Sequence, residues 1–259
     1  LGSWVVRQLR EEGVDVRVFA VPGESRENLE GVAVEILEGD VRRRADCERA
    51  VAGMDTVFHA AAIYQDFAPD PWPMYDVNLR GTFNVLEASR RAGVEKVIYT
   101  ASIVSLGRPE PGETAPDECG DLDFPYSRSK LFSRELAEYF ADWDLDVRVV
   151  CPAIVLGPGD LRPTPSGALI IKSFQPGPAL HFDGGASYVD VRDAARVHLL
   201  AAREGEKGGR YVATSANLTN EELVRTIQRV GATKKPLVKL PVSVARTVAK
   251  AMDFHARRT

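Results

Sequence analysis

The most constraining feature of this chain is a regular alternation of short, β-branched runs with helical stretches over its first 150 residues. Val14 to Val21, Val32 to Leu37, Thr56 to His59, Lys96 to Thr100 and Asp146 to Cys151 read as strands. Between them, Leu1 to Arg10, Asp46 to Ala52, Met74 to Arg91 and Tyr126 to Phe140 carry apolar residues at helical spacing. Strands separated by helices pair in parallel, because parallel neighbours need crossover connections, and these are right-handed. The expected fold is therefore α/β, a doubly wound parallel sheet covered by helices on both faces. Ligands of such sheets bind at the carboxyl ends of the strands. Gly39-Asp40, Ala60 to Ala62, Thr100 to Ser102 and Pro152 fall at those ends, so four strands aim small or polar residues at one crevice.

After Gly157-Pro158-Gly159-Asp160 the texture changes. Pro163, Pro165, Gly167, Pro176, Gly177 and Pro178 break the chain into loops and one short helix around Ala168 to Phe174. Ser187 to Val191 reads as a strand leading into a helix from Asp193 to Arg203, and Arg210 to Thr214 as another strand. Thr219-Asn220-Glu221-Glu222 caps a helix to Val230, and a last helical pattern starts at Pro241. The expected organisation is a sheet domain over residues 1–155 and a smaller substrate-binding lobe over 156–259, with returns to the sheet.

A formal net charge of -4 gives no electrostatic reason to expect nucleic acid or an anionic membrane surface as partner. No apolar run reaches the twenty or so residues of a membrane span. The three cysteines, Cys47, Cys119 and Cys151, lack metal-ligand spacing, and their odd count argues against a disulfide framework. A cytoplasmic setting and no bound metal are the expectations.

Chemistry concentrates in Tyr126-Ser127-Arg128-Ser129-Lys130. Residues four apart share a helix face, so Tyr126 and Lys130 project into one cleft. A free phenol ionises near pH 10, but an ammonium about 4 Å away favours the phenolate by up to roughly 4 kcal/mol at a dielectric of about 20. That is worth about three pKa units. Such a tyrosine gives a proton to a developing alkoxide or takes one from an alcohol, and Ser102 would hydrogen-bond the same oxygen. The structural alternative is an amphipathic helix that merely carries a tyrosine and a lysine.

Seven motifs in register decide between these. Leu1-Gly2-Ser3, Gly39-Asp40-Val41, His59 to Ala62, Asn78 to Leu86, Tyr99 to Ser102 with Tyr126 and Lys130, Gly157 to Asp160 and Tyr188 to Asp193 occur in the order seen in extended short-chain dehydrogenases/reductases, the NAD-dependent epimerase/dehydratase family. Nearly the whole chain resembles them. Within that superfamily it looks most like the branch holding dihydroflavonol 4-reductase-like enzymes, bacterial aldehyde or ketone reductases and hopanoid-associated sugar epimerases. The resemblance implies a nicotinamide dinucleotide on a Rossmann-type sheet. It makes Tyr126 the acid/base, Lys130 the group that lowers its pKa and holds the nicotinamide ribose, and Ser102 the group that orients the substrate oxygen. Asp40 and Val41 would lie along the adenine, Ala60, Ala61 and Ala62 along the phosphates and ribose, and Thr100 and Pro152 near the nicotinamide end. Asn78 would support a proton relay or serve as a structural hydrogen-bonder. Asp40 has an alternative as a turn residue, and His59 reads as a strand-end residue satisfied by backbone.

Two departures from the family pattern matter. The family opens with a strand and a glycine-rich turn, of which only the last glycine, Gly2, is present, so the sequence is expected to be a piece of a longer chain, trimmed also at its C-terminal end. Neither the arginine common in NADP-dependent relatives nor the acidic residue of NAD-dependent ones occupies the end of the second family strand, where this chain has Phe19, Ala20 and Val21. Arg26 lies within reach of a 2′-phosphate, which tilts the expectation towards NADP over NAD. Ile154 stands where nucleotide-sugar enzymes carry an asparagine, and an apolar residue does not hydrogen-bond a diphosphate sugar. The leading expectation is an NAD(P)-dependent oxidoreductase acting on a ketone, aldehyde or alcohol. The alternatives are a sugar epimerase and a non-catalytic dinucleotide-binding sensor or scaffold. A homodimer through the helices Val77 to Ala88 and Ser129 to Phe140 completes the picture.

Overall fold

The computed structural model describes residues 1–65, 69–107, 124–241 and 243–244. Most of the loop 106–122, with Cys119, and the helical pattern after Pro241 lie outside them. In chain order the elements are α1 (Gly2–Glu11), β1 (Arg17–Ala20), β2 (Glu35–Glu38), α2 (Arg44–Val51), β3 (Thr56–His59), α3 (Trp72–Tyr75), a π-helical turn (Asp76–Gly81), α4 (Thr82–Ala92), β4 (Lys96–Thr100), α5 (Pro125–Asp142) and β5 (Asp146–Pro152). There follow β6 (Ile154–Leu156), α6 (Pro165–Ser173), β7 (Ala179–His181), β8 (Gly185–Asp190), α7 (Val191–Glu204), β9 (Arg210–Ala213), β10 (Ala216–Thr219), α8 (Asn220–Val230) and β11 (Leu237–Lys239).

The main sheet runs β3-β4-β5-β9, all parallel, and β1 pairs in parallel with β2. The α/β parallel sheet read from the sequence is thus the observed one. Val97, Tyr99, Val147 and Val149 point to the face covered by α2, α4 and α5, where they join Leu86, Ala137 and Phe140 in the largest buried cluster. Ile98 and Val150, one residue out of phase, point to the other face and pack with Ala201 of α7. This alternation follows from the two-residue period of a strand with both faces buried. On the same face Val5 of α1 packs with Ala195 and Leu199 of α7.

The remaining strands are short. β8 lies between β6, parallel to it, and β10, antiparallel to it, while β11 pairs with β7. β9 returns the chain to the main sheet with Val149↔Arg210 to Pro152↔Ala213 in register. The 157–160 loop is tied back to the first elements: Trp4 Nε1 donates to the Pro158 carbonyl at 2.9 Å and Asn28 Nδ2 to the Gly159 carbonyl at 2.7 Å.

The helix expected over Met74 to Arg91 is instead three consecutive pieces, α3, the π turn and α4. Gly81 permits a close approach there, since a Cβ on it would stand 2.7 Å from Val41 Cγ2. α4 ends on Gly93, whose φ of 71° is the left-handed conformation that favours glycine.

Candidate active site

The site assembles where β3, β4 and β5 end. Lys130 is buried and projects from the second turn of α5 to the end of β4, where its Nζ donates to the Thr100 carbonyl at 2.8 Å. Its Nζ also lies 5.5 Å from the centre of the Tyr99 ring. Burial pushes its pKa down to about 8. That still leaves most of the amine protonated at neutral pH.

Tyr126 lies one turn earlier on the same face of α5 and is half-buried, its ring centre 4.7 Å from that of Tyr64 and 6.4 Å from that of Phe124. The turn carrying it is pinned from below: Ser129 Oγ donates to the Tyr126 carbonyl at 2.7 Å, and Asn78 Nδ2 donates to Ser129 Oγ at 3.0 Å. The Asn78 amide also accepts from the Ile63 N–H at 2.7 Å and donates to the Ile63 carbonyl at 3.0 Å. Asn78 therefore clamps the segment after β3 to α5 from within the π turn, which is the structural role the sequence allowed it.

Ser102 caps a short 3-10 turn at Ile103–Ser105, its Oγ accepting from the Val104 N–H at 3.4 Å. Its carbonyl accepts from Ser105 Oγ at 2.6 Å, so the backbone after β4 is fixed while the half-buried hydroxyl keeps donor capacity.

Thr100 works in two directions. Its carbonyl takes the Lys130 amine, and its Oγ1 lies 2.9 Å from His198 Nε2 on the α7 side of the sheet. His198 Nδ1 faces the Ala194 carbonyl at 2.7 Å, and a carbonyl only accepts, so the proton sits on Nδ1 and Nε2 accepts from the threonine hydroxyl. His59 is paired differently from the backbone contact expected. Its Nε2 lies 3.0 Å from Thr82 Oγ1, whose single proton goes to the Asn78 carbonyl at 2.6 Å, so Nε2–H is the donor. The expectation failed because the first turn of α4 presents a hydroxyl to the end of β3. Burial, then the Lys130 cation, lowers the His59 pKa to about 3; burial lowers that of His198 to about 4.

The other expected cofactor residues lie at the start of α1 and near the ends of β1, β2, β3 and β5. α1 opens at Gly2, whose Cβ position is 4.0 Å from Ala60, and Ala61 and Ala62 are exposed beside it. These small residues leave room for a phosphate group at the start of a helix. Val41 is buried, its carbonyl accepting from Asn84 Nδ2 at 2.9 Å. Asp40 folds back on Arg42, with Oδ1 accepting from the Arg42 N–H at 2.9 Å, and this pairing holds its carboxyl below the usual range. Arg26 reaches the Val21 carbonyl at 3.1 Å and the Glu38 carboxylate at 3.2 Å, at the ends of β1 and β2. Pro152 is buried at the end of β5, paired with Ala213.

Sequence reasoning missed the wall beyond Tyr126. Tyr64 also borders a cavity of about 180 Å³ lined by Ile154, Leu156, Leu169, Ile170, Tyr188 and Leu223. Of these, the sequence singles out Ile154 and, within the Tyr188 to Asp193 motif, Tyr188. Tyr64 apart, the lining named here comes from four separate elements, β6, α6, β8 and α8, whose meeting no local pattern records.

A parallel α/β sheet with this side-chain set at its carboxyl edge defines a Rossmann-type protein of the extended short-chain dehydrogenase/reductase class. The chain belongs to the NAD dependent epimerase/dehydratase family, whose model matches residues 1–214. It is 28% identical to the putative dihydroflavonol 4-reductase of Synechocystis sp. over 96% of this chain and 75% of that protein. It is 32% identical to sterol demethylase protein B of Methylococcus capsulatus over 100% of this chain and 81% of the relative. The crystal structure of gox2253 superposes with a TM-score of 0.88 at 31% identity, covering 99% of this chain and 79% of that one. Family and relatives indicate an NAD-dependent enzyme with an oxidoreductase or epimerase role.

Proposed function

We propose that the protein is an NAD(P)-dependent carbonyl reductase, or the corresponding alcohol dehydrogenase, with Tyr126 as acid/base. The observation that carries this reading is the placement of Lys130, a buried cation fixed on the Thr100 carbonyl one helical turn from Tyr126. A positive charge held there favours the ionised form of the phenol and suits it to proton transfer near neutral pH. The bound nicotinamide supplies or accepts the hydride. In the reducing direction Tyr126 gives its proton to the carbonyl oxygen as the carbonyl carbon becomes an alcohol carbon, and solvent later restores that proton. Ser102 donates a hydrogen bond to the same oxygen and holds the carbonyl in line.

A reductase is preferred to a sugar epimerase because, among the described residues, the lining of the cavity beyond Tyr64 contains none that is charged, and Ile154 is part of that wall. A diphosphate would be left there without a counter-charge. Arg26 supports NADP(H) as the preferred dinucleotide, with its pairing to Glu38 given up in favour of a 2′-phosphate. Residues 156–259 then act mainly as the substrate lobe of a homodimeric, cytoplasmic enzyme. The direct test is NADPH consumption with a panel of aldehydes and ketones by the wild type and Tyr126→Phe. The variant should bind dinucleotide as before and lose turnover by orders of magnitude; equal turnover would remove Tyr126 from the chemistry.

A further inference from the structure

We infer that Tyr64 and the cavity behind it restrict the substrate to carbonyl compounds with one compact apolar group, a single aromatic ring or a short branched chain, and that Tyr64 sets this limit. The inference rests on the reductase reading above. The Tyr64 ring lies against that of Tyr126, with centres 4.7 Å apart, and the same side chain lines the cavity. A carbonyl held at the Tyr126 hydroxyl therefore has Tyr64 beside it, with the cavity that Tyr64 borders as the space for the group it carries.

That space fits one kind of group. Its volume is about 180 Å³. A cavity of roughly 150 Å³ walled by aliphatic side chains accepts benzene and stays dry without it. Pockets that hold whole drug-sized ligands run from about 300 Å³ upward. The present cavity thus matches one ring in size and is small for a fused pair or a nucleotide. Ile154, Leu156 and Ile170 pack with Tyr188 and Leu223 into a continuous apolar cluster. Among the described residues, the lining's polar side chains are the hydroxyls of Tyr64, Ser166 and Tyr188, and that of Ser166 lies 3.0 Å from Thr164 Oγ1. None of these rewards a charged substituent.

Two substitutions move the limit in opposite directions. Tyr64→Ala removes the wall between phenol and cavity. Leu169→Trp, at a half-exposed position of α6 where a larger side chain is tolerated, fills the cavity. The readout is the ratio of kcat/KM values for NADPH-dependent reduction of acetaldehyde, benzaldehyde and 2-naphthaldehyde. The wild type should favour benzaldehyde over both others by about tenfold or more, the scale set by one or two methylene groups in a fitted pocket. Tyr64→Ala should raise the naphthaldehyde to benzaldehyde ratio by about tenfold, and Leu169→Trp should lower the benzaldehyde to acetaldehyde ratio by a similar factor. Unchanged ratios in both variants, or a wild type preferring 2-naphthaldehyde, would overturn the size limit while leaving a working reductase. Absence of NADPH consumption with every aldehyde would overturn the reductase reading instead.

Discussion

A lysine buried on a single carbonyl leaves a measurable imprint on stability. Burial lowers the Lys130 pKa from 10.5 to about 8, while the unfolded chain keeps the ordinary value. Between these two values the unfolded state holds more protons, so stability rises with pH through that window and the full penalty is present below pH 8. A displacement of about 2.5 units corresponds to about 3 kcal/mol, of which about 2.5 kcal/mol is recovered between pH 7 and pH 10. Lys130→Met removes this titration. It also strips the Thr100 carbonyl of its donor, costing about 1–3 kcal/mol at every pH. At pH 7 the two terms nearly cancel, and the variant should be as stable as the wild type or up to about 2 kcal/mol more so. By pH 10 the wild type should have gained about 2.5 kcal/mol on it. Urea unfolding of both proteins at intervals from pH 7 to pH 10 gives the difference directly. Repeating it in a Tyr126→Phe background removes any contribution from the neighbouring phenol. Parallel pH profiles would refute the argument, because they would mean that the folded protein holds the Lys130 proton as firmly as water does.

Two further outcomes follow from close contacts. Gly81→Ala places a Cβ 2.7 Å from Val41 Cγ2; overpacking of this kind costs about 1–3 kcal/mol, against about 1 kcal/mol gained from alanine in a helix, so a net loss of up to about 2 kcal/mol is expected in urea. A gain in stability would show that the π turn yields freely. Arg26→Ala should lower the NADPH to NADH ratio of kcat/KM by about tenfold, as loss of one partly exposed charged hydrogen bond implies; an unchanged ratio would leave Arg26 as no more than the partner of Glu38.

The sheet was legible because its strands are buried on both faces and read as β-branched runs: Thr56–His59 and Lys96–Thr100 fall where the sequence puts them. The π turn was not, since the apolar residues around Val77 and Val85 keep a near-helical spacing across it and nothing local marks the extra residue. β6, β7, β10 and β11 were missed for a related reason. Each spans only three or four residues, and β10 and β11 show one half-buried position apiece, too little for a two-residue period to register. Of the candidate site, Tyr126 and Lys130 were visible because four residues along a helix is a local fact. Tyr64, Thr82 and His198 act through partners distant in sequence, and only the folded chain joins them.

Those distant partners give the site its electrostatic character. His59 and His198 flank the ends of β3 and β4 from opposite faces, and a proton added to His59 would place a second cation in the field of the Lys130 ammonium. Burial lowers both pKa values to about 3 and 4, so neither is charged at neutral pH. Both still make two-sided use of their neutral rings or hydroxyl partners. His198 accepts from Thr100, whose carbonyl holds the lysine, and His59 donates to Thr82, whose hydroxyl holds the Asn78 carbonyl in the π turn. A lysine or arginine at position 198 has no atom to accept from Thr100, and at either position it would compete with Lys130 for anionic partners. Neutral imidazoles brace the two strand ends without adding charge, beside the buried Lys130 amine that is held on the Thr100 carbonyl.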